Sequence, residues 1–230
     1  MFAAETYAAR RAALRAGLAR RGVKDGLVLL LGNGESPMNY FANAYPYRQD
    51  SSFLYFVGIP LPGLAAAIDL ATGDATLFGD DLSMDDIVWT GPQPSVAELA
   101  ARAGIAVARA RSALAGAAEA ARGSGILYLP PYRAETRDEL AELAGRRPGA
   151  VAEGASVPLI REALALRELK SAEEVAELEA AVDVSVAMHR AALEFARPGQ
   201  LEAEVAARVA QVALSGGGGL AFPTIATTKG

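Results

Sequence analysis

The sequence predicts an α/β fold, because short apolar segments of strand character alternate along the chain with amphipathic helical segments. The clearest strand is the apolar run Leu27–Leu31, which is bounded on its far side by turn-forming residues. The clearest helix covers Glu5–Arg21, where Tyr7, Leu14 and Leu18 recur on one side. Strands and helices in alternation are typical of a layered structure with a sheet covered by helices.

The remaining elements of the first 145 residues follow from the same patterns. Four more strands are predicted, at Ser52–Val57, Ala65–Leu70, Ala75–Phe78 and Ile126–Leu129. Three more helices are predicted, at Val96–Ala103, Ala110–Arg122 and Arg137–Ala144.

A change in amino-acid composition marks a predicted domain boundary. Glycine and proline are concentrated in Arg146–Pro158, so we predict one domain over residues 1–157 and the beginning of a second over residues 158–230. Ser171 and Glu174 form a capping box that opens a long helix. One apolar stripe of that helix carries Val175, Leu178, Val182, Val186, His189 and Leu193.

The second part of the chain ends in three further predicted features. These are a helix at Leu201–Leu214, a flexible break at Gly216–Gly219 and a strand at Phe222–Thr228. Two helices and one strand form a poor core alone, and a single strand lacks a partner. We therefore expect this second domain to be incomplete within the 230 residues.

Composition excludes several functional classes. The formal net charge is −5 at pH 7 and basic residues are scattered, which argues against nucleic-acid binding. The chain has no cysteine, so disulfides and thiolate sites are excluded and a cytoplasmic location is expected. The N-terminus lacks the apolar core of a signal peptide, and the apolar runs are too short to span a bilayer, so no membrane partner is expected.

Four patterns could carry chemistry, and for each we favour a structural interpretation. Residues 32–34 are expected to form a turn rather than a dinucleotide site, and the glycines at 216–219 a connector rather than a phosphate loop. The aspartates at 80, 81, 85 and 86 are expected to form a solvated loop rather than a cation site. His189, the one histidine, is expected to be a core or interface residue with one hydrogen bond rather than a base or ligand.

Five segments, read in order, resemble the Xaa-Pro aminopeptidases (aminopeptidase P). The more specific two are Tyr45–Gly58 and Leu166–Glu174. The other three are Val88–Gly91 with its tryptophan and glycine, Arg197–Gly199 followed by Glu202 or Glu204, and Phe222–Ile225. The resemblance covers roughly residues 5–230.

The resemblance implies a fold and an activity. The fold would be a creatinase-like N-terminal domain, with a mixed sheet flanked by helices, followed by an incomplete α+β pita-bread domain. The activity would be removal of the residue preceding proline at a peptide N-terminus, by two divalent ions, most often manganese. The family's metal and catalytic residues lie after the strand that Phe222–Thr228 resembles. We therefore expect no metal ion and no catalytic residue in this chain, and no activity from it alone.

The resemblance also implies one candidate site residue and a set of partners. In family oligomers the N-terminal domain of one subunit approaches the active site of another, so the resemblance makes Trp89 the candidate for a substrate-adjacent residue across a subunit interface. The partners implied are proline-containing peptides and further copies of the chain. Two alternatives remain: a non-catalytic oligomerisation or peptide-binding module, and a fragment of a prolidase or creatinase.

Overall fold

A computed structural model describes residues 1–40 and 42–228. The chain divides into two compact units, Met1–Leu169 and Lys170–Gly230. We describe each unit separately. Within the described residues every helix is too short or too polar to cross a lipid bilayer.

The first unit contains seven strands and seven α-helices among its described residues. The strands are β1 Leu27–Leu31, β2 Pro37–Tyr40, β3 Asn43–Ala44, β4 Ala65–Asp69, β5 Ala75–Phe78, β6 Val107–Arg109 and β7 Ile126–Tyr128. The helices are α1 Ala4–Arg20, α2 Ser51–Phe56, α3 Met84–Thr90, α4 Val96–Arg102, α5 Ala113–Ala121, α6 Ala134–Leu143 and α7 Val157–Glu168. A 3₁₀ turn, Pro148–Ala150, lies between α6 and α7.

Five strands form a mixed sheet in the order β6-β5-β4-β1-β7. β4 is antiparallel to both β1 and β5, whereas β7 is parallel to β1 and β6 is parallel to β5. The predicted α/β class and mixed sheet are thus confirmed. Because β1, β5, β6 and β7 run in one direction, their carboxyl ends all lie at one edge of the sheet, which we call the carboxyl edge.

Helices cover both faces of the sheet, and the central strand β1 shows why. All five of its residues are buried. Successive side chains of a strand point to opposite faces. Val28 and Leu30 join the cluster that contains Leu14 and Leu18 of α1 and the aromatic residues of α2, whereas Leu29 joins the cluster built on α5 and α6. Each fully buried side chain of this size contributes about 1.5–3 kcal/mol.

Helix α7 packs against α1, although it begins at the predicted domain boundary. The buried carboxylate of Glu162 in α7 accepts a hydrogen bond from Nε of Arg21, just beyond α1. Glu162 can approach α1 at Gly17 because glycine has no side chain, and a Cβ at that position would overlap the carboxylate. The compact unit therefore extends through Leu169, and the division at residues 157 and 158 stays a prediction about the family domain.

One strand prediction in this unit is wrong. Ser52–Val57 was expected to be a strand, but Ser51–Phe56 is helix α2. The carboxylate of Asp50 accepts hydrogen bonds from the backbone amides of Ser52 and Phe53, both at 2.8 Å. These bonds satisfy amides that a helix start leaves free, and they outweigh the strand preference of the aromatic residues.

Within residues 170–228 the second unit contains two helices that pack together, α8 Ala172–Phe195 and α9 Glu202–Ser215. The predicted capping box of Ser171 and Glu174 is confirmed at the start of α8. The predicted strand Phe222–Thr228 is wrong, because residues 222–228 are irregular. A strand needs a neighbour to bond its backbone, and none of the described residues from 170 to 228 forms one. Instead, the backbone amide of Thr228 donates to Glu202 at 2.6 Å.

Candidate functional site

The carboxyl edge gathers the segments that the sequence singles out. The loop after β1 contains residues 32–36, the segment after β5 leads into α3, and the segment after β7 contains residues 129–133. The connection from Ile59 to Gly63 enters β4 at the same edge. In open α/β sheets, binding groups concentrate where strands running the same way end. This edge is therefore the candidate functional region of the first unit.

A buried glutamine organises this edge. Gln49 is only 4% exposed. Its Oε1 accepts hydrogen bonds from the backbone amides of Asn33 (2.6 Å) and Asp50 (2.9 Å). Its Nε2 donates to the carbonyl of Leu61 at 2.7 Å. One side chain therefore joins the loop after β1 to the start of α2 and to the connection into β4.

Asn33 completes the same network. Its buried side chain donates through Nδ2 to the carbonyl of Arg48 (2.8 Å) and to the hydroxyl of Tyr132 (3.0 Å). The hydroxyl of Tyr47 donates to the Asn33 carbonyl at 3.2 Å. Burial raises the pKa of Tyr47 to about 12, and the nearby charge of Arg133 opposes that rise. These groups are tied to each other, so we assign them to the architecture of the edge.

The glycine at the end of β1 has a packing role. The amide of Gly32 donates to the carbonyl of Leu64 at 2.9 Å, and a Cβ on Gly32 would lie 2.7 Å from that same oxygen. The segment then continues into β2 rather than into a helix. Residues 32–34 are irregular rather than the predicted turn, and they lack the following helix that a dinucleotide site needs.

Helix α3 carries Trp89, and residues at its two ends stabilise it. The hydroxyl of Ser83 accepts from the backbone amide of Asp86 at 3.2 Å, and the Asp86 carboxylate accepts from the amide of Ser83 at 3.0 Å. The hydrogen bonds from Ser83 hold the pKa of Asp86 below its usual range. Gly91 ends the helix with φ of 76°. The sequence alone did not predict this helix.

No residue of α3 is buried. Trp89 is 87% exposed, Val88 78% and Met84 75%. Trp89 therefore does not anchor the core, which is the role a single tryptophan most often has. Large apolar groups that lie together in water mark interaction surfaces. Proximity of Trp89 to a substrate stays a prediction.

The carboxyl edge has other exposed aromatic residues that the sequence analysis did not single out. Tyr40 lies in β2 and Tyr132 follows β7, and both are largely exposed. Tyr45, which the sequence analysis already included in the segment Tyr45–Gly58, is exposed as well. A signal for Tyr132 was available in the sequence, since it follows Pro130 and Pro131 after the predicted strand Ile126–Leu129.

The predicted acidic cluster has structural roles. Asp80 accepts from the backbone amide of Arg111 at 2.9 Å, and Asp81 accepts from the amide of Val96 at 2.6 Å. Asp86 belongs to the capping box of α3. Three of the four aspartates thus accept backbone hydrogen bonds, as expected of structured loops and helix starts.

His189 lies on an exposed part of α8, so the core alternative is wrong and the interface alternative stays a prediction. Its Nδ1 lies 2.8 Å from the carbonyl of Ser185, one turn earlier in the same helix. The single hydrogen bond that was expected is present.

The described residues do not bring together the donors that a metal centre needs. Within residues 1–40 and 42–228, no three His, Cys, Asp or Glu residues come together where they could hold an ion. The dinuclear centre implied by the resemblance therefore cannot be assigned to these residues, and we derive no catalytic step through it.

Comparisons with known proteins agree with the resemblance. The family model "Aminopeptidase P, N-terminal domain" matches residues 7–128. A probable Xaa-Pro aminopeptidase of Colletotrichum graminicola is 40% identical over 53 residues, which are 23% of this chain and 12% of that protein. One of Aspergillus niger is 31% identical over 90 residues, which are 39% of this chain and 19% of that protein.

Solved structures show the same fold. Aminopeptidase PepP of Pseudomonas aeruginosa matches with a TM-score of 0.77 at 24% identity, and aminopeptidase P of E. coli with 0.76 at 20%. Each match covers 94% of this chain and 50% of the other. This chain spans about half the length of those structures, and the curated matches cover under a fifth of the relatives. Because the family model matches more than half of the chain, the chain belongs to the aminopeptidase P N-terminal domain family.

Proposed function

We propose that this chain serves in a metal-dependent Xaa-Pro aminopeptidase, which removes the residue preceding proline from the N-terminus of a peptide. The observation that carries the proposal is the family match over residues 7–128, whose fold the first unit has. The curated relatives are named as probable Xaa-Pro aminopeptidases, which supports this substrate class over that of a prolidase or creatinase.

Within this function, Trp89 contacts the peptide substrate. Its indole stands on a helix that adds nothing to the core, with Val88 and Met84 exposed beside it. A flat apolar face suits a proline ring or an apolar peptide end, and the indole N–H can still donate a hydrogen bond. The contact is made across an interface between copies of the chain, so the working enzyme is a homo-oligomer.

The complete enzyme would depend on two divalent ions, for which we propose manganese. Carboxylate donors suit this metal. One of the solved E. coli structures is described as zinc-substituted, which supports metal dependence in that relative. Because the described residues bring no suitable donors together, we expect these 230 residues to show no hydrolysis by themselves.

Three further features belong to the proposal. Residues 1–157 form the creatinase-like domain, and residues 158–230 begin a pita-bread domain. The cytoplasm is the proposed location, because a chain without cysteine gains nothing from an oxidising compartment.

The test is an assay of the complete reading frame that encodes these residues. With manganese present, its product should release the first residue of an Xaa-Pro-Xaa peptide, and it should not act when the proline is replaced by alanine. Trp89→Ala should raise KM about tenfold, which corresponds to about 1.4 kcal/mol of lost apolar contact. Leu164→Ala is a matched control, because Leu164 is also an exposed apolar residue but lies on α7.

The outcomes separate the alternatives. Hydrolysis restricted to Xaa-Pro dipeptides indicates a prolidase, and action on creatine indicates a creatinase. Peptide binding without hydrolysis under any divalent metal indicates the non-catalytic module. Each of these results would contradict the proposal.

A further inference from the structure

The segment that carries Trp89 leaves the body of the first unit and returns to it. We call residues 82–95 the Trp89 arm. It begins after β5, forms α3 and ends where α4 begins. None of its residues is buried. The capping box of α3 bonds only residues within the arm, so it can shape the helix but cannot fix its position.

One hydrogen bond joins the two ends of the arm. Asp81 directly precedes the arm, and Val96 directly follows it. The Asp81 carboxylate accepts from the backbone amide of Val96 at 2.6 Å, in a partly buried position. An ionised acceptor makes this bond stronger than one between neutral groups. The bond therefore closes the base of a 14-residue excursion.

Both partners of this bond are themselves held by the body of the unit. Val96 is buried in the cluster that contains β1 and α1. Asp80, adjacent to Asp81, accepts from the backbone amide of Arg111, and the amide of Gly79 donates to the carbonyl of Arg109. The base of the arm is thus attached to the sheet on one side and to the core on the other.

We propose that Asp81 is the positioning residue of Trp89. It acts through the amide of Val96, by holding the two ends of the arm together so that α3 keeps one orientation on the carboxyl edge. This inference deepens the proposed function, since it rests on the role given there to Trp89. The arm itself can be tested without any substrate.

The test uses the fluorescence of Trp89, the only tryptophan of the chain. In the 230-residue protein, Asp81→Ala should lower the steady-state anisotropy of Trp89, because the arm gains motion. Exchange of the Val96 amide with deuterium should become about tenfold faster, since the amide loses its acceptor. Asp81→Asn keeps an oxygen acceptor and should restore both values most of the way.

A second variant removes the same bond from its other side. Val96 is the first residue of α4 and Ser95 before it is extended, with φ of −61° and ψ of 158°. Proline is well tolerated at the first helical position and after an extended residue. Val96→Pro should therefore lower the anisotropy as Asp81→Ala does. The double variant should lower the anisotropy little further, because both changes remove the same hydrogen bond between Asp81 and Val96.

Asp85→Ala is the matched control. Asp85 lies on the arm itself, in the first turn of α3, and its side chain makes no hydrogen bond or ion pair with the described residues. Asp85→Ala removes one negative charge, as Asp81→Ala does, and should leave the anisotropy of Trp89 unchanged. Far-UV circular dichroism should show the same helix content and the same global unfolding midpoint for Asp81→Asn, Asp85→Ala and the unaltered chain.

The inference is overturned if Trp89 anisotropy in Asp81→Ala and Val96→Pro equals that of the unaltered chain, or if Asp81→Asn fails to restore it. It is also overturned if anisotropy falls only in parallel with global unfolding, since Asp81 would then stabilise the whole unit. Failure of the proposed function is a separate result: the fluorescence changes occur whether or not any product of the reading frame hydrolyses a peptide.

Discussion

The side chain of Gln49 accepts a hydrogen bond from the backbone amide of Asn33 at 2.6 Å, and the side chain of Asn33 donates in return to the carbonyl of Arg48 at 2.8 Å. Both side chains are buried. The pair fastens the segment before α2 to the end of β1. The segment Tyr45–Gly58, which carries much of the family resemblance, therefore has a structural role at the carboxyl edge.

Gln49→Ala should destabilise the first unit by about 3 kcal/mol, because it leaves the amide of Asn33 and the carbonyl of Leu61 buried without their partner. Urea unfolding followed by far-UV circular dichroism measures this change. Gln93→Ala is the control, since Gln93 is exposed in the same unit, and its effect should stay within about 0.5 kcal/mol. A loss below about 1 kcal/mol for Gln49→Ala would show that the network relaxes without it.

Asp50→Ala should lower the free energy of unfolding of the first unit by about 1 kcal/mol, because the first backbone amides of α2 lose their acceptor. Asp50→Ser should recover most of this loss, since serine also caps helices well. The free energy of unfolding in urea is again the measurement. Equal stability of the alanine and serine variants would mean that the cap does not determine the helical state of Ser51–Phe56.

The helices and strands of the first unit were predictable where the apolar pattern of a segment and its flanking turn or cap residues indicate the same structure. Leu27–Leu31 is apolar throughout because both of its faces are covered, and the short connection between β4 and β5 has the glycine it needs, with φ of 87° at Gly73. Ser52–Val57 was predicted wrongly, because its aromatic residues favour a strand whereas the cap at Asp50 lies outside the segment. Phe222–Thr228 was predicted wrongly, because a strand depends on a neighbour that its own residues cannot supply.

Removal of either member of the pair between Arg21 and Glu162 should have unequal costs. Arg21→Ala should destabilise the unit by about 2–3 kcal/mol, because it leaves the buried carboxylate of Glu162 without its closest cation. Glu162→Ala should cost about 1 kcal/mol less, since the side chain of Arg21 is partly exposed and can turn to water. Unfolding in urea compares the two variants, and a larger loss for Glu162→Ala would contradict this reasoning.

The order of α3 should depend on pH through Asp86. Its pKa is lowered in the folded chain by the hydrogen bonds from Ser83. A lowered pKa means that the ionised form supports the fold, so the contribution is present above the unfolded pKa of about 3.9 and is lost as pH falls through the lower folded value. Trp89 anisotropy should therefore be constant from about pH 7 to pH 5 and fall below about pH 4.

The control for this acid transition is Ser83→Ala, which removes the cause of the lowered pKa. The pH dependence of Trp89 anisotropy should then shift to higher pH or disappear. Far-UV circular dichroism at each pH separates fraying of α3 from unfolding of the unit. An identical transition in both proteins would show that another carboxylate controls the arm.

The candidate site was less predictable than the fold. The tryptophan was found through the resemblance of Val88–Gly91, but nothing in its local sequence shows that α3 stands free of the core. The role of Asp81 was also hidden, because its partner Val96 is 15 residues away and is bonded through the backbone. From the sequence alone, an aspartate that accepts a hydrogen bond from a distant helix cannot be distinguished from one that faces water.

The most direct test of the account is a titration of the 230-residue chain with Mn²⁺, followed by calorimetry and combined with an Xaa-Pro peptide assay. The account predicts no saturable binding of two ions per chain and no release of the first residue. Two tightly held manganese ions together with turnover would show that these residues build a dinuclear centre, and would contradict the account.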